Sequence, residues 1–430
     1  MPHALPADVL AMLDVLRRRP DVEAPELVAA DAADRLVLAE ARELLASSGP
    51  GEVAVLDDGY GALALGALAL GAPDVRVATD TVTSERAIRL NAAAVASCGL
   101  ANDPSRVHPV TALDPASVSS LGLPVDPSCV HVTAPLDPAS VAGARVVLAR
   151  LPRSLDALAE LTDLVADHAA PDVVLLATGR LKHMSRSMND VLAVRFAEVS
   201  ATLAHGKARA LVARRPVAAP PGHVRFPRRA RVEVPAGAGL DGDLDVVAHG
   251  AAFAGPNLDI GTRALVEVFD ELVGSGAASG AASGLSPVQV LDLGCGTGVL
   301  ATVVALRVPH ATVVATDRSA AAVLSAAATA AANGVGDRVT TLHDDAAASV
   351  PDASVDVVVC NPPFHAGTVV STDIAEAMFR AAARVLRPGG ELWVVWNSHL
   401  RYRPSLERVV GPTTQVARTP KFTVTRSVRR

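Results

Sequence analysis

Aromatic residues make up only 3% of this 430-residue chain, with two Trp and two Tyr. Its cores must therefore be aliphatic, and with half of the residues apolar there is ample material for them. Cysteine is scarce too. The four thiols, at 98, 129, 295 and 360, show no C-x-x-C spacing, which excludes a cysteine zinc site and a disulfide framework. No metal is expected, and a reducing, cytoplasmic setting fits this usage. No uninterrupted apolar run reaches the roughly 20 residues that span a bilayer. Residues 1–16 lack a basic-then-apolar leader, so no membrane association is expected. Positive charge is not in excess either. A formal net charge of -6 argues against a protein that coats nucleic acid without specificity, while leaving room for a local basic patch.

A chain of this length exceeds one ordinary core, and its hydrophobic pattern alternates between two periods. Apolar residues at three- and four-residue spacing predict helices over 8–19 and 33–47. Strands follow at 53–56 and 75–80, a helix over 84–97, and strands at 145–149 and 173–177. Pro and Arg then cluster over 214–231 and break the periodicity. A Gly-Ser-Ala stretch over 274–284 reads as a flexible insertion. After it come strands at 288–293, 312–317, 339–343, 355–360 and 391–396, with helices over 298–306, 320–333 and 373–386. Strands alternating with helices imply an α/β fold with parallel sheets covered on both faces. The expected domains are 1–215, a linker with early strands over 216–250, and 251–430.

The two halves repeat each other. Val55-Leu56-Asp57-Asp58-Gly59-Tyr60-Gly61 aligns with Val290-Leu291-Asp292-Leu293-Gly294-Cys295-Gly296, and Val77-Ala78-Thr79-Asp80 is identical to Val314-Ala315-Thr316-Asp317. Val146 to Pro152 matches Val357 to Pro363. Three matches in one order mark a duplicated domain. In this alignment the first copy is degenerate. Leu63 replaces its third loop glycine, and Arg150, a pure donor, stands where the second copy has Asn361. The first copy is expected to bind no cofactor and to hold substrate instead.

The second copy keeps its chemistry. Asp292, Gly294, Cys295, Gly296 and Gly298 form a loop between a strand and a helix, where glycines permit a tight turn and close approach of a ligand to free helix N–H groups. The Gly-x-Gly-x-Gly spacing is tighter than the dinucleotide fingerprint and fits the amino-acid end of S-adenosyl-L-methionine. Asp317 ends the next strand, where a carboxylate accepts from both ribose hydroxyls; capping of the following helix is the alternative. Asp345, after the third strand, is a candidate partner for the adenine amine. Asn361-Pro362-Pro363-Phe364 follows the fourth strand as a stiff loop. An exocyclic amine on a planar group is a poor nucleophile, because its lone pair is delocalised. The Asn361 side-chain oxygen and the Pro362 carbonyl are placed to accept from such an amine and aim its lone pair at a methyl group. Phe364 is placed to stack on the acceptor plane. Pro363 stiffens the loop, and His365 either touches the acceptor or lines it. Cys295 and Cys360 read as small buried residues.

With both loops in place, the chain resembles the bacterial ribosomal RNA guanine-N2 methyltransferases that carry an Asn-Pro-Pro-Phe-His motif. The resemblance implies two tandem Rossmann-like class I methyltransferase domains, the N-terminal one degenerate. It implies S-adenosylmethionine as cofactor and ribosomal RNA or a ribosomal subunit as partner. Phe253 with Leu258-Asp259-Ile260-Gly261 looks like the family's segment that folds over the cofactor, although Ala254-Gly255 replaces its usual Ser-Arg. Asn397 to Tyr402 and Lys421-Phe422 look like its closing strands. Leu56 to Leu63, Leu151 to Leu155 and Gly179 to His183 are similar to the 23S branch. The basic stretches 401–430 and 207–231 suit an RNA partner or a solvated surface. A 16S target stays open, as do a protein glutamine and a DNA adenine, because these enzymes share the acceptor motif.

Overall fold

The computed structural model describes residues 4–24, 26–99, 125–275, 288–363 and 369–430. It divides into two compact units, Met1–Arg225 and Phe226–Arg430.

In the first unit, helices Ala7–Val15 and Ala32–Ala46 precede β1 (Val53–Leu56) and β2 (Val75–Ala78). Then come β3 (Val130–Val132), β4 (Val146–Arg150), β5 (Val174–Arg180), β6 (Phe196–Ala201) and β7 (Ala208–Pro216). They form one seven-stranded sheet in the order β3-β2-β1-β4-β5-β7-β6. Only β7 runs antiparallel to its neighbours. Alternate residues of β1 serve opposite faces. Val53 and Val55 pack with Leu63 and Leu65 of helix Ala62–Ala69, and Ala54 and Leu56 with Leu158 and Val165 of helix Leu155–His168. Coverage on both sides explains why the strand reads as a continuous apolar run.

The second unit opens with a hairpin of β8 (Arg228–Val232) and β9 (Leu244–Ala248). Its main sheet contains β10 (Val288–Leu293), β11 (Ala311–Asp317), β12 (Val339–His343), β13 (Val355–Cys360), β14 (Leu386–Asn397), β15 (Thr413–Arg418) and β16 (Phe422–Val428). The order β12-β11-β10-β13-β14-β16-β15 repeats that of the first unit, strand for strand. Both copies therefore have the doubly wound topology that the sequence repeat implies. The rare aromatics gather here. Trp393 packs on one face of the sheet, and Trp396, Phe379 and Tyr402 on the other.

Three differences from the sequence reading have physical causes. The segment expected as a linker with early strands does carry strands, β8 and β9, but they belong to the second unit, because helix Ala320–Ala332 and the asparagine that closes it hold the hairpin. Thr329 Oγ1 accepts the Val247 N–H at 3.0 Å, Ser325 Oγ accepts that of His249 at 2.9 Å, and Asn333 Oδ1 accepts that of Asp245 at 3.1 Å. Strand β14 starts five residues before the expected 391, the Pro388-Gly389-Gly390 run being absorbed as an irregularity in its pairing with β13. Most of the Gly-Ser-Ala stretch lies outside the described residues.

The third difference concerns the register of the repeat. Leu56 pairs with Ala149 in the first sheet, and Leu293 pairs with Cys360 in the second. Leu56 and Leu293 are thus equivalent, which makes 57–61 the counterpart of 294–298. Sequence alignment places the loops two residues out. The third glycine is kept as Gly61, left-handed at the helix start like Gly298, whereas Asp57 replaces the first glycine. Leu63 is an ordinary helix residue. Arg150 does stand opposite Asn361.

Candidate active site

Strand β10 delivers the glycine loop at its carboxyl end. Gly294, Gly296 and Gly298 have φ of 77°, 52° and 74°. A side chain in this region costs roughly 1–2 kcal/mol per residue, and a Cβ on Gly298 would lie 2.6 Å from the Ala326 Cα. The N–H groups of Gly294 and Cys295 donate to the Thr316 carbonyl at 2.8 and 2.9 Å. That of Gly296 donates to Asp317 Oδ2 at 3.0 Å, and Asp317 Oδ1 accepts from the Ser319 N–H at 2.9 Å. Asp317 therefore fastens the loop to the end of β11. Ser319, not Asp317, caps the next helix, accepting from the Ala322 N–H.

Asp292 lies beneath this loop, fully buried. Its Oδ2 accepts the Ala301 N–H at 2.9 Å, while Oδ1 has no partner. Burial pushes its carboxyl up to about 7, the Asp317 charge adds to this, and the Ala301 bond opposes it. Above it, the N–H groups of Thr297 and Leu300 meet no acceptor among the described residues. The helix N-terminus is open to a ligand carboxylate.

The third strand ends in two aspartates with different roles. Asp344 is buried and accepts from the N–H groups of Asp345 and Ser349 and from the Ser349 hydroxyl. Asp345 is half-buried, and its carboxylate has no hydrogen-bond partner among the described residues. It is an acceptor left open at the end of β12.

Asn361 leaves β13 beside the glycine loop. Its Nδ2 donates to Asp259 Oδ2 at 2.9 Å and to Thr262 Oγ1 at 3.0 Å. A carboxylate only accepts, so the amide nitrogen must face Asp259 and Oδ1 is left as the acceptor. Asp259 also caps helix Ile260–Val266, accepting from the Gly261 and Thr262 N–H groups. Gly261 gives the amide room, since a Cβ there would sit 2.9 Å from Asn361 Oδ1. Pro362 is buried and Pro363 exposed. Phe364 and His365 lie outside the described residues. Burial pushes the thiols of Cys295 and Cys360 up, which keeps both protonated and inert.

The first unit closes the same two positions with its own side chains. Asp58 stands where Cys295 is in the second copy. Its Oδ1 accepts from Tyr60 and Gly61 N–H at 3.3 and 2.9 Å, and its Oδ2 from Leu63 and Ala64 N–H at 3.0 and 2.9 Å. The amides left open at Thr297 and Leu300 are thus filled at Tyr60 and Leu63. Arg150 pairs with Asp31 at 2.9 Å and with Asp34 at 2.7 Å. Burial pushes the Asp34 carboxyl up to about 7 against the pull of Arg150.

Residues 243–426 match the family model of the methyltransferase small domain, and residues 11–121 and 124–217 match the RLMG N-terminal domain. A ribosomal RNA large subunit methyltransferase G from Streptomyces avermitilis is 34% identical over 96% of this chain and 97% of its own length. The chain belongs to the ribosomal RNA large subunit methyltransferase G family. Its relative of the same name in Stutzerimonas stutzeri is 37% identical over 66% of this chain and 70% of that protein. A T. thermophilus 16S rRNA N2 methyltransferase, solved with AdoMet and guanosine, shares the fold. Its TM-score is 0.65 at 22% identity, over 97% of this chain and 100% of that one. The sequence reading names the loop, Asp317, Asp345 and Asn361, which the fold gathers at the carboxyl ends of β10 to β13. It misses the link between Asp259, Thr262 and Asn361. The only signal was an aspartate opening a short helix, which the sequence reading gave to the cofactor.

Proposed function

We propose that this chain transfers a methyl group from S-adenosylmethionine to the exocyclic N2 amine of a guanine in large-subunit ribosomal RNA. The observation that carries the reading is the pairing of Leu293 with Cys360, which brings the open glycine loop and Asn361 out on neighbouring strands at one end of the sheet. The residues fit the cofactor. The unfilled N–H groups of Thr297 and Leu300 suit its carboxylate, the unpartnered Oδ1 of Asp292 lies below them, and Asp317 and Asp345 suit ribose and adenine. The group supplies, when bound, a methyl on a sulfonium.

The remaining work belongs to the chain. Asn361 Oδ1 and the Pro362 carbonyl accept from the amine, and Phe364 stacks on the base. The lone pair is thereby aimed for in-line displacement, a matter of proximity and orientation. The C–N bond would form as the sulfonium C–S bond breaks and a neutral thioether leaves, and the ammonium proton would then pass to water, so no strong base is required.

The first unit serves to hold RNA, with a catalytic domain in the second. Much of the chain's positive charge is spent internally. Arg215 pairs with Glu198, Arg225 with Asp167, Arg403 with Glu407 and Arg408 with Glu376. Arg153, Arg180, Lys182 and Lys207 are exposed and have no ion pair among the described residues. They share the end of the first sheet where β4 and β5 finish, Leu181 N–H donating to the Lys207 carbonyl. His183 there is held below its ordinary value by desolvation and by the charges of Arg153, Lys182 and Arg180. Such an edge suits a phosphate backbone, and a cytoplasmic setting follows from that partner.

The test is methyl transfer from labelled S-adenosylmethionine to ribosomal RNA from a strain lacking the gene, followed by nucleoside analysis. N2-methylguanosine in 23S RNA is the expected product. Label in 16S RNA would move the target, and label only in protein or DNA would overturn the substrate.

A further inference from the structure

We infer that Asp259 and Thr262 are positioning residues for the transfer: Asp259 dictates which end of the Asn361 amide meets the acceptor amine, and Thr262 adds a second acceptor to that orientation. The inference rests on the reaction proposed above. An asparagine amide is nearly symmetric in shape, and its two ends have opposite hydrogen-bonding character. With the oxygen outward, it accepts from a guanine amine. With the nitrogen outward, it presents a donor to a group that needs an acceptor. Nothing in a strand end followed by two prolines chooses between these. The choice is made on the other side of the amide, where Asp259 Oδ2 and Thr262 Oγ1 stand 2.9 and 3.0 Å from Nδ2. Asp259 cannot donate. Flipping the amide would set Oδ1 against a carboxylate oxygen, and Gly261 leaves the space in which the correct orientation fits.

The degenerate copy offers the competing explanation. There the helix-capping Asp31 bonds Arg150, the counterpart of Asn361, so the contact also ties a helix to the sheet. A role limited to that tie would appear in folding and not in turnover. The experiment separates the two by comparing Asp259→Ser with Asp259→Asn. Both serine and asparagine are good helix caps, but only asparagine keeps an acceptor at the distance of Asn361.

Turnover would be measured with labelled S-adenosylmethionine and ribosomal RNA, alongside KM for RNA, cofactor affinity and Tm. Asp259→Ser is expected to lower kcat about 10- to 100-fold, the range for losing a hydrogen bond to a charged group. Both affinities and Tm should stay near wild type. Asp259→Asn should restore most of the rate, and Thr262→Val should cost roughly 5-fold, as a neutral bond does. Equal kcat in the Ser and Asn variants, or a loss that appears in Tm and KM while kcat holds, would overturn the assignment. A wild-type enzyme that labels no RNA would overturn the reaction itself, and this role with it.

Discussion

Replacing Asp292 with asparagine should change how the stability of the second unit depends on pH. The carboxyl is fully buried, one oxygen is unpartnered, and its pKa is raised from 3.8 to about 7. In the unfolded chain the group titrates near its ordinary value. Between the two values the folded state binds the extra proton, so stability falls as pH rises. The slope is about 1.36 kcal/mol per pH unit, and the whole window amounts to roughly 4 kcal/mol. Below about pH 4 and above about pH 7 the effect is flat. The substituted amide has the same shape as the carboxyl and nothing to ionise. Relative to wild type, Asp292→Asn should therefore gain ~2–3 kcal/mol between about pH 5 and pH 7 and no more beyond it. Urea unfolding followed by tryptophan fluorescence reads this directly, since Trp393 and Trp396, the only tryptophans in the chain, are both buried in the second unit. A difference between variant and wild type that stays constant across this window would mean that Asp292 is ionised in the fold, and the argument from burial would fail.

Asn361→Ala removes the acceptor oxygen and should abolish detectable transfer, at least ~100-fold, while calorimetric titration still finds S-adenosylmethionine binding close to wild type. Gly261→Ala sets a Cβ 2.9 Å from Asn361 Oδ1 and 3.0 Å from Asp259 Oδ2. It should lower kcat about 10-fold or more with a modest fall in Tm from the crowding, and normal turnover would show that the amide has slack. Changing Arg153, Arg180, Lys182 and Lys207 to Gln together should flatten the dependence of log K for RNA on log salt by roughly three units. An unaltered slope in filter binding would remove that edge from the RNA path.

The sequence carried the fold well because both sheets obey simple rules. Parallel strands covered on two faces read as short apolar runs, and β10, β12 and β13 fall on their expected residues. The strand-end positions of Asp317, Asp345 and Asn361 were legible for the same reason, since each ends or follows such a run. Side-chain bonds from an alanine-rich helix face were not legible. Ser325, Thr329 and Asn333, four residues apart, hold β9, yet in sequence they look like ordinary polar interruptions. The Asn361–Asp259 bond spans 102 positions and has no local signature.

The two-residue slip in the repeat arose because Asp57-Asp58-Gly59 imitates Asp292-Leu293-Gly294 in one dimension. Hydrogen-bond register resolves it, and the corrected alignment changes the account of how the first copy's loop differs from the second's. No helix-start glycine was lost. Instead, a carboxylate entered the loop at position 58 and took the N–H groups of Tyr60, Gly61, Leu63 and Ala64. A ligand carboxylate would have to displace a tethered one that makes four bonds at no cost in association entropy. The same exchange recurs at the acceptor end, where Arg150 is held by Asp31 and Asp34. In each case a group that would face a small molecule has been satisfied from within. The fold is preserved because Asp58, Arg150 and its two aspartates remain paired where they are buried.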